Sequence, residues 1–518
     1  MSKSKITKVI AISFTIILAT SIIWKILNKK TTETNIDLSF VQKVENITPP
    51  TFPDNVCNVV DYEAVPNLTK TLETAQYLSS KEQFEKMIKG AKEGEKQNFQ
   101  AFQKAVEDCS NKGGGTVKIP AGEWKVGGPI HLKSNINLHL EENAVISFSS
   151  NPDDFLPVVK TRYAGLELYN YSPMIYALDC ENIAITGKGT IRGITEPNNW
   201  KPFIKNKKKA EKRLYKMANN NIPLEERIFG TVEDSLRPSM IQPYNCNNIL
   251  IEGIKIEEGP MWTLHVLYTN NLIIRDLNIE TRSTNNDGIV IDSSTNVLIE
   301  NNNLATGDDA IAIKSGKDRD GWRVGKPSEN IVIRNNKVTE AHAGVAIGSE
   351  MSGDVRNVLI ENLNVEQADR GIRIKSRVGR GGTVENILVQ NSIIKNSGRK
   401  EPLQINFDYG SKSTQPKTKK KPEIRNVEFR NIEIDSDAEN AIEIVGLKNQ
   451  MSSILFKDIE IKNTNQFVRV DNAEFIKFEN ITGVFFKMKN SANLEIVNDA
   501  CPKVEQGKSE NIIIDCKK

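Results

Sequence analysis

A short unit, an asparagine followed by alternating apolar residues, recurs through the chain. The unit begins at Asn248, Asn271, Asn296, Asn330, Asn357, Asn386 and Asn426. Such self-similarity is typical of a solenoid. The repeated segments are short, β-branched and alternate with period two, which predicts strands rather than helices. We therefore expect an all-β chain folded as a right-handed parallel β-helix, in which each asparagine occupies a tight bend and bonds to its neighbours above and below.

The length of the chain is compatible with one domain. A solenoid extends a continuous core by adding coils, so 518 residues need not divide into separate domains. We expect the β-helix to cover residues 56–518 and to begin with a small helical cap at about 56–112. A basic, irregular insertion at about 200–235 predicts either a lip over an acidic polymer or a solvated helix.

The N-terminal region has the composition of an export segment. Three lysines precede an apolar run from Val9 to Trp24, as in a signal peptide. The run is shorter than the roughly 20 residues that usually span a bilayer. A cleaved signal peptide and an uncleaved membrane anchor both remain open for residues 1–30, with a buried core helix as a further alternative. Either of the first two predicts a periplasmic, extracellular or membrane-anchored protein. Residues 31–55 are polar and contain Pro49-Pro50, which predicts a tether.

The six cysteines form an even number in a chain that we expect to be exported. Cys501 and Cys516 can staple the C-terminal end, and Cys57 can reach Cys109. Buried free thiols are the alternative, because connectivity cannot be deduced from sequence. No spacing of cysteines resembles a zinc site.

Titratable residues recur at intervals close to one repeat between residues 285 and 375. They are Asp287, Asp308, Asp309, His342, Arg373 and Lys375. If residues that are one repeat apart lie on neighbouring coils, three carboxylates, one imidazole and two cations stack on one face. Hydrolysis of a glycosidic bond needs a carboxylic acid and a carboxylate, and crowded carboxylates bind protons more tightly. Asp308 and Asp309 are adjacent, so the backbone must bend for both to reach one site, and Gly307 makes this plausible.

The two cations predict a substrate that is itself acidic. Arg373 and Lys375 are one residue apart in a strand, so both side chains emerge on the same face. Arginine binds a carboxylate with two parallel hydrogen bonds, and lysine acts as a point charge. Simple charge balance is the alternative. The net charge of +3 argues against a nucleic-acid binder.

These motifs resemble those of the polygalacturonase family, family 28 of the glycoside hydrolases, over most of the chain from Cys57 to about Tyr409. The matching motifs are Asn285-Asn286-Asp287, Gly307-Asp308-Asp309, Ala341-His342-Ala343-Gly344 and Arg373-Ile374-Lys375. The family patterns are Asn-Thr-Asp, Gly or Gln before Asp-Asp, Gly-His-Gly and Arg-Ile-Lys. Two departures matter: Asn286 replaces threonine, and alanines at 341 and 343 replace glycines, which could shift the imidazole or narrow the cleft.

The resemblance implies a role for each matched residue. Asp308 resembles the general acid, and Asp287 and Asp309 resemble the pair that activates water. His342 resembles the histidine that supports the acid. The substrate-binding residues that the resemblance implies are Arg373, Lys375 and Tyr409.

The resemblance also implies an activity. It implies an inverting hydrolase that cleaves α-1,4-galacturonosidic bonds in pectin or its oligosaccharides, without a metal or cofactor. The stretch from Gly348 to Gly353 resembles family members that trim chain ends, which favours exo action. A calcium-dependent pectate lyase and a non-catalytic carbohydrate-binding β-helix are the alternatives. We expect a monomer without a nucleic-acid partner.

Overall fold

The computed structural model describes residues 30–67, 81–193, 200–396, 400–410, 418–463 and 465–516. The apolar run predicted as a signal peptide or anchor lies outside the described residues. Within those ranges, no helix is both long enough and apolar enough to cross a membrane.

Short strands account for most of the described chain. The N-terminal coils contain β1 Val56–Asn58, β2 Gly115–Ile119, β3 Gly122–Val126, β4 Ile130–Leu132, β5 Ile136–Leu140, β6 Ala144–Phe148, β7 Val159–Tyr163, β8 Leu166–Asn170, β9 Ile175–Leu178, β10 Glu181–Gly187 and β11 Thr190–Arg192. The central coils contain β12 Ile241–Tyr244, β13 Asn247–Glu252, β14 Lys255–Glu257, β15 Leu264–Leu267, β16 Asn270–Arg275, β17 Asn278–Thr281, β18 Ile289–Asp292, β19 Thr295–Glu300, β20 Asn303–Thr306, β21 Ile311–Lys314, β22 Ser328–Arg334, β23 Lys337–Glu340, β24 Ala343–Gly348, β25 Val355–Glu361, β26 Asn364–Val365 and β27 Arg370–Lys375. The C-terminal coils contain β28 Thr383–Asn396, β29 Leu403–Asn406, β30 Glu423–Ser436, β31 Asn440–Val445, β32 Met451–Ile461, β33 Gln466–Asp471, β34 Glu474–Thr482, β35 Val484–Lys489, β36 Ala492–Asn498, β37 Val504–Gln506 and β38 Glu510–Cys516.

Helices are few and peripheral. The α-helices are α1 Ser39–Glu45, α2 Lys81–Asn111, α3 Phe203–Asn206, α4 Lys208–Asn219 and α5 Asp318–Val324, and 3₁₀ turns cover Val59–Tyr62, Pro152–Phe155 and Leu224–Glu226. Helix α2 packs against the first coil through Phe102 and Cys109, both fully buried. It ends at Asn111, within the predicted bounds of the cap. The small helical cap is therefore confirmed.

The strands pair in parallel from coil to coil. One sheet, here called the cleft sheet, runs β4, β9, β12, β15, β18, β21, β24, β27, β29, β31, β33, β35 and β37. The other long sheet forms the remaining walls of the coils. Only the β7–β8 hairpin pairs antiparallel among the described strands. Inward-facing isoleucine, valine and leucine residues fill one continuous core. The predicted parallel β-helix is confirmed.

The recurring asparagines form a ladder along the outside of the β-helix. All seven have a positive φ, from 53° to 59°, a conformation that asparagine tolerates better than most residues. The Asn330 amide donates to Asn296 at 3.1 Å, and Asn357 donates to Asn330 at 2.9 Å. The ladder continues from Asn386 to Asn357 at 2.9 Å. The bend and the bonds between coils that the repeats predict are therefore both present.

The segment predicted as a polar tether, residues 31–55, is instead packed against the β-helix. The Asn35 amide donates to the side-chain oxygen of Asn426 at 2.7 Å, and the Asn426 amide donates back to the Asn35 carbonyl at 2.7 Å. Asp37 and Asn386 form the same reciprocal pair, at 2.8 and 2.7 Å. The tether prediction is wrong because the exposed edge of the asparagine ladder offers hydrogen bonds to a passing backbone.

Residues 30–53, here called the N-terminal strap, also cover apolar surface. Phe40 and Val44 of α1 pack on an outward-facing row that consists of Leu298, Val332, Leu359 and Leu388. Further along, Ile47 and Phe52 contact Ala184, Leu250 and Ile273. At the other end, the Lys30 ammonium lies 3.2 Å from Glu474. The strap therefore runs along the β-helix axis from the C-terminal coils toward the N-terminal coils.

The cysteines divide into one disulfide and buried thiols. Cys501 and Cys516 form a disulfide that joins the last coils, as the sequence allows. Cys57 and Cys109 are buried free thiols, so the bridge considered for this pair is absent from the described structure. Cys180 and Cys246 are also free and buried.

Candidate active site

The predicted site residues lie on successive coils of the cleft sheet. Asp287 precedes β18, Asp308 and Asp309 precede β21, and His342 precedes β24. Strands β18, β21, β24 and β27 are consecutive neighbours, and their pairing brings these loops together. One oxygen from each of the three aspartates lies within 4.8 Å of the others. The clustering predicted from the repeat interval is thus present.

A backbone bend lets both adjacent aspartates reach the site. An added Cβ at Gly307 would collide with the carbonyl oxygen of Ser283 in the preceding coil. Only glycine fits this close approach. The Asp309 amide then donates to the Asp308 carboxylate at 2.9 Å, which fixes the turned backbone.

His342 contacts the predicted acid. Its backbone amide donates to the Asp308 carbonyl at 3.0 Å, and its Nδ1 lies 3.5 Å from Oδ1 of Asp308. The flanking residues Ala341 and Ala343 are buried. The contact with Asp308 is therefore formed although alanines replace the family glycines.

Asn286, the other departure from the family motif, is fully buried. Its side-chain oxygen accepts from Ser283 and Thr281, and its amide donates to the carbonyls of Gly259 and Met261 at 2.8 and 2.6 Å. Every polar atom of the side chain is thus satisfied. Asn286 acts as a brace for the loop that carries Asp287.

The two predicted carboxylate-binding cations share an aromatic neighbour. The Arg373 guanidinium lies 4.9 Å from the ring centre of Tyr409, and the Lys375 ammonium lies 5.5 Å from it. Lys375 also forms a buried ion pair with Asp309 at 2.7 Å. Arg373 donates to Gln404 at 2.8 Å and is partly exposed. Arg373 is therefore the more accessible cation of the two.

Burial and mutual repulsion give the aspartates different proton affinities. Burial, with contributions from Asp308 and Asp309, raises the pKa of Asp287 from 3.8 to about 7. Burial also opposes ionisation of Asp308, but the hydrogen bond with His342 lowers its pKa overall. The same bond raises the pKa of His342. Asp287, Asp308 and Asp309, here called the trio, therefore hold one proton up to about neutral pH. This proton belongs to the three interacting carboxylates together rather than to one residue.

Two site residues were missed by the sequence reasoning. Lys314 ends β21, and its ammonium lies 3.3 Å from Asp287 and 3.5 Å from Glu350. Burial favours loss of its proton, yet these carboxylates raise the pKa of Lys314 well above its usual range. Period-two alternation along Ile311 to Lys314 already predicts that Lys314 points outward with Ala312. Glu350 lies within a stretch that the family resemblance singled out.

Residues that could ligate a metal are already paired with lysines. The three aspartates supply the oxygen donors that hard divalent cations prefer. However, the ammonium groups of Lys314 and Lys375 lie against two of these carboxylates. A bound cation would have to displace or repel them, so the donor set fits a lysine-balanced site better than a metal site.

The middle of the cleft sheet is partly covered. The β7–β8 hairpin and α4 pack over β18 and β21 in a second apolar cluster, which contains Tyr163, Leu168, Leu214, Phe229, Trp262, Val290 and Ala312. The buried pair Arg162–Asp292, at 2.7 Å, fastens the hairpin to the sheet. A polymer lying along this face therefore meets a wall beside the aspartates.

The basic insertion contributes one contact to this wall. The Lys207 ammonium donates to the side chain of Asn285 at 2.8 Å, next to the loop that carries Asp287. Most of the other basic residues between 201 and 216 are exposed, while Ala210, Leu214 and Ala218 are buried. The insertion is mainly a solvated helix, and Lys207 alone of these residues contacts the site loop.

Known proteins match this chain in sequence and in fold. The model of glycosyl hydrolases family 28 matches residues 230–491. A probable polygalacturonase from Vitis vinifera is 31% identical over 334 residues, which cover 62% of each chain. An exo-poly-alpha-D-galacturonosidase from Dickeya chrysanthemi is 27% identical over 428 residues, or 76% of this chain and 69% of that protein.

A solved structure agrees with this match. The crystal structure of a hyperthermoactive exopolygalacturonase from Thermotoga maritima superposes with a TM-score of 0.72 at 34% sequence identity. The superposition covers 88% of this chain and 96% of that one. The family model, the sequence relatives and the shared β-helix lead to one conclusion: the chain belongs to family 28 of the glycosyl hydrolases.

Proposed function

We propose that this protein is a polygalacturonase that hydrolyses α-1,4-galacturonosidic bonds in pectin or its oligosaccharides. The carrying observation is that three carboxylates, one imidazole and two cations from four successive coils meet at one site. The carboxylates supply acid and base chemistry, and the cations match an acidic sugar. The names of the relatives support the same substrate class.

The family resemblance supports a division of labour among the aspartates. In the reaction the proton shared by the trio passes through Asp308 to the departing glycosidic oxygen as the bond to the anomeric carbon breaks. Asp287 and Asp309 hold a water molecule and accept one of its protons while its oxygen attacks that carbon. His342 tunes the acid through its contact with Asp308. After one turnover the trio again holds a single proton.

We further propose that the enzyme acts on chain ends. The wall formed by the β7–β8 hairpin and α4 obstructs the cleft beside the aspartates, while Arg373 on the following coil remains partly exposed. A chain can then enter from one side only. The exo-acting relatives support this proposal. Release of monogalacturonate from the start, with a slow fall in viscosity, is the expected result; an immediate fall in viscosity would indicate endo action.

The activity is tested with protein lacking residues 1–29, so that the strap is retained. This protein is incubated in chelator with polygalacturonic acid and with oligogalacturonides, and reducing ends and unsaturated products are followed together. New reducing ends without unsaturation, lost in Asp308→Asn, support hydrolysis. Unsaturated products would indicate a lyase. Binding without turnover would indicate a carbohydrate-binding protein.

The stereochemical outcome needs a test of its own. The family resemblance predicts inversion, yet the aspartate oxygens lie within 4.8 Å, closer than the roughly 6.5 to 9.5 Å between carboxyl groups usual for inverting enzymes. Inversion at this site still requires that the water held by Asp287 and Asp309 attack the face of the anomeric carbon opposite the departing oxygen. Proton NMR of the first product is expected to show the β-anomer; an initial α-anomer would refute inversion.

We also propose that the protein is exported. The support is the lysine-flanked apolar run from Val9 to Trp24. Cell fractionation with an antibody to the β-helix tests this, and N-terminal sequencing of the exported protein separates a cleaved signal from an anchor. Retention of the full chain in the cytosol would contradict the proposal.

A further inference from the structure

Lys314 is a buried cation beside the carboxylate trio, and the family motifs of the sequence analysis assign it no part. Its side chain is only 5% exposed. The ammonium lies 3.3 Å from Oδ2 of Asp287, 3.5 Å from Oε2 of Glu350 and 4.8 Å from the ring centre of Trp262. A buried ammonium is costly unless it is paired. Lys314 is therefore fixed between two carboxylates over an aromatic ring.

The lysines are distributed unequally among the three aspartates. Asp287 lies against Lys314, and Asp309 lies against Lys375 at 2.7 Å. Asp308 contacts the half-exposed His342 instead. A nearby positive charge favours the ionised form of a carboxylate. The two aspartates with the proposed base role thus each form an ion pair with a buried lysine, whereas Lys375 and Lys314 act on the proposed acid without such a pair.

We propose that Lys314 is a positioning residue that makes Asp287 release the shared proton of the trio at a lower pH than burial alone would allow, and that the charge of Glu350 partly offsets this effect. The inference rests on the proposed hydrolase function, because only a reaction that needs one acid and two bases depends on where the proton resides. Glu350 is itself fixed by Ser349, which donates to it at 3.1 Å, and by Arg380, which lies 3.9 Å away.

The charges around Asp287 support this assignment. The groups that act on it are Lys314, Asp308, Asp309 and Lys375, and Lys314 is the strongest of them. Burial alone raises the pKa of Asp287, and Lys314 opposes that rise. Lys314 in turn faces Asp287, Glu350, Asp309 and Asp308. Removal of Lys314 therefore raises the pKa of Asp287, and removal of the negative charge on Glu350 lowers it.

Two variants shift the pH dependence in opposite directions. In Lys314→Met, Asp287 holds its proton to higher pH, so we expect the acid limb of the kcat/KM profile on trigalacturonate to move up by about one unit. In Glu350→Gln, the positive charge of Lys314 is no longer partly neutralised by Glu350, so Asp287 loses its proton at lower pH and the acid limb moves down. Lys326→Met removes an exposed lysine outside the trio and should leave the profile unchanged. If Lys314 and Glu350 had only a structural role, both substitutions would lower activity without moving the acid limbs of the two profiles apart.

A second readout does not depend on activity. The pH dependence of the unfolding midpoint reports the proton on Asp287 in folded protein. Lys314→Met should lose more stability between pH 5 and 8 than the wild type, and Glu350→Gln should lose less. Overlapping curves for all three proteins would overturn the inference. If the wild type is inactive on galacturonides but the curves diverge, the proposed substrate fails while the assignment of Lys314 to the proton stands.

Discussion

Replacing Asp287 by asparagine should remove most of the loss of stability that the wild type shows between about pH 4 and 7, while abolishing activity. Asp287 is 3% exposed, and its pKa rises from 3.8 to about 7, chiefly because of burial. Between these values the folded wild type binds a proton that the unfolded chain releases. The wild type therefore loses stability as pH rises from about 4 to 7, because its folded state binds more protons than its unfolded state.

The magnitude follows from the size of the shift. A difference of about 3 pH units, at 1.36 kcal/mol per unit, sets an upper limit of about 4 kcal/mol on this loss. Asparagine does not titrate, so Asp287→Asn escapes the loss. The attraction between Lys314 and ionised Asp287 is already contained in this shift, because Lys314 lowers the pKa of Asp287 from the value that burial alone would give. The pH dependence of the difference is therefore more informative than its value at one pH.

The assay is urea unfolding of both proteins at several pH values from 4 to 8. We expect the stability of Asp287→Asn relative to wild type to increase steadily over this range and to level off above pH 7. Asp354→Asn, which alters a carboxylate away from the trio, serves as the matched control. Parallel curves for wild type and Asp287→Asn would refute the reasoning, because they would mean that Asp287 is ionised in the folded protein throughout.

Three further predictions test the bend, the strap and the imidazole. Gly307→Ala should lower kcat at least 100-fold with a folded protein, because an added Cβ collides with the preceding coil and displaces the acid; an unchanged kcat would contradict this account. Phe40→Ala should lower the free energy of unfolding by about 3 kcal/mol, whereas Leu38→Ala, at a more exposed position, should change it by less than about 0.5 kcal/mol. Equal effects of these two substitutions would mean that the strap does not stabilise the β-helix. His342→Asn should lower kcat about 100-fold with little change in unfolding, because the imidazole is half exposed and acts through Asp308; a wild-type rate would exclude that role.

Sequence alone was sufficient where a repeat carries the information. The recurring asparagines predicted both the coil and its bends, because a residue in the left-handed region with a side-chain amide satisfies the same constraint on every coil. The interval between Asp287 and His342 predicted a shared face, because parallel coils convert one repeat of sequence into one step between neighbouring strands. Gly307 indicated the bend that brings Asp308 and Asp309 together.

The tertiary structure decided what depends on contacts between distant segments. Residues 31–55 have the polar composition of a linker. They pack on the β-helix only because the assembled coils present a row of asparagine amides and a row of leucines to them. Lys314 and Glu350 lie 36 residues apart, and their partnership with Asp287 exists only once three coils stack. The wall over β18 and β21 is likewise formed by elements far apart in the chain. The periodic sequence thus specified the coil, whereas the proton affinities and the reach of the cleft depend on burial and neighbouring charges that only the folded protein creates.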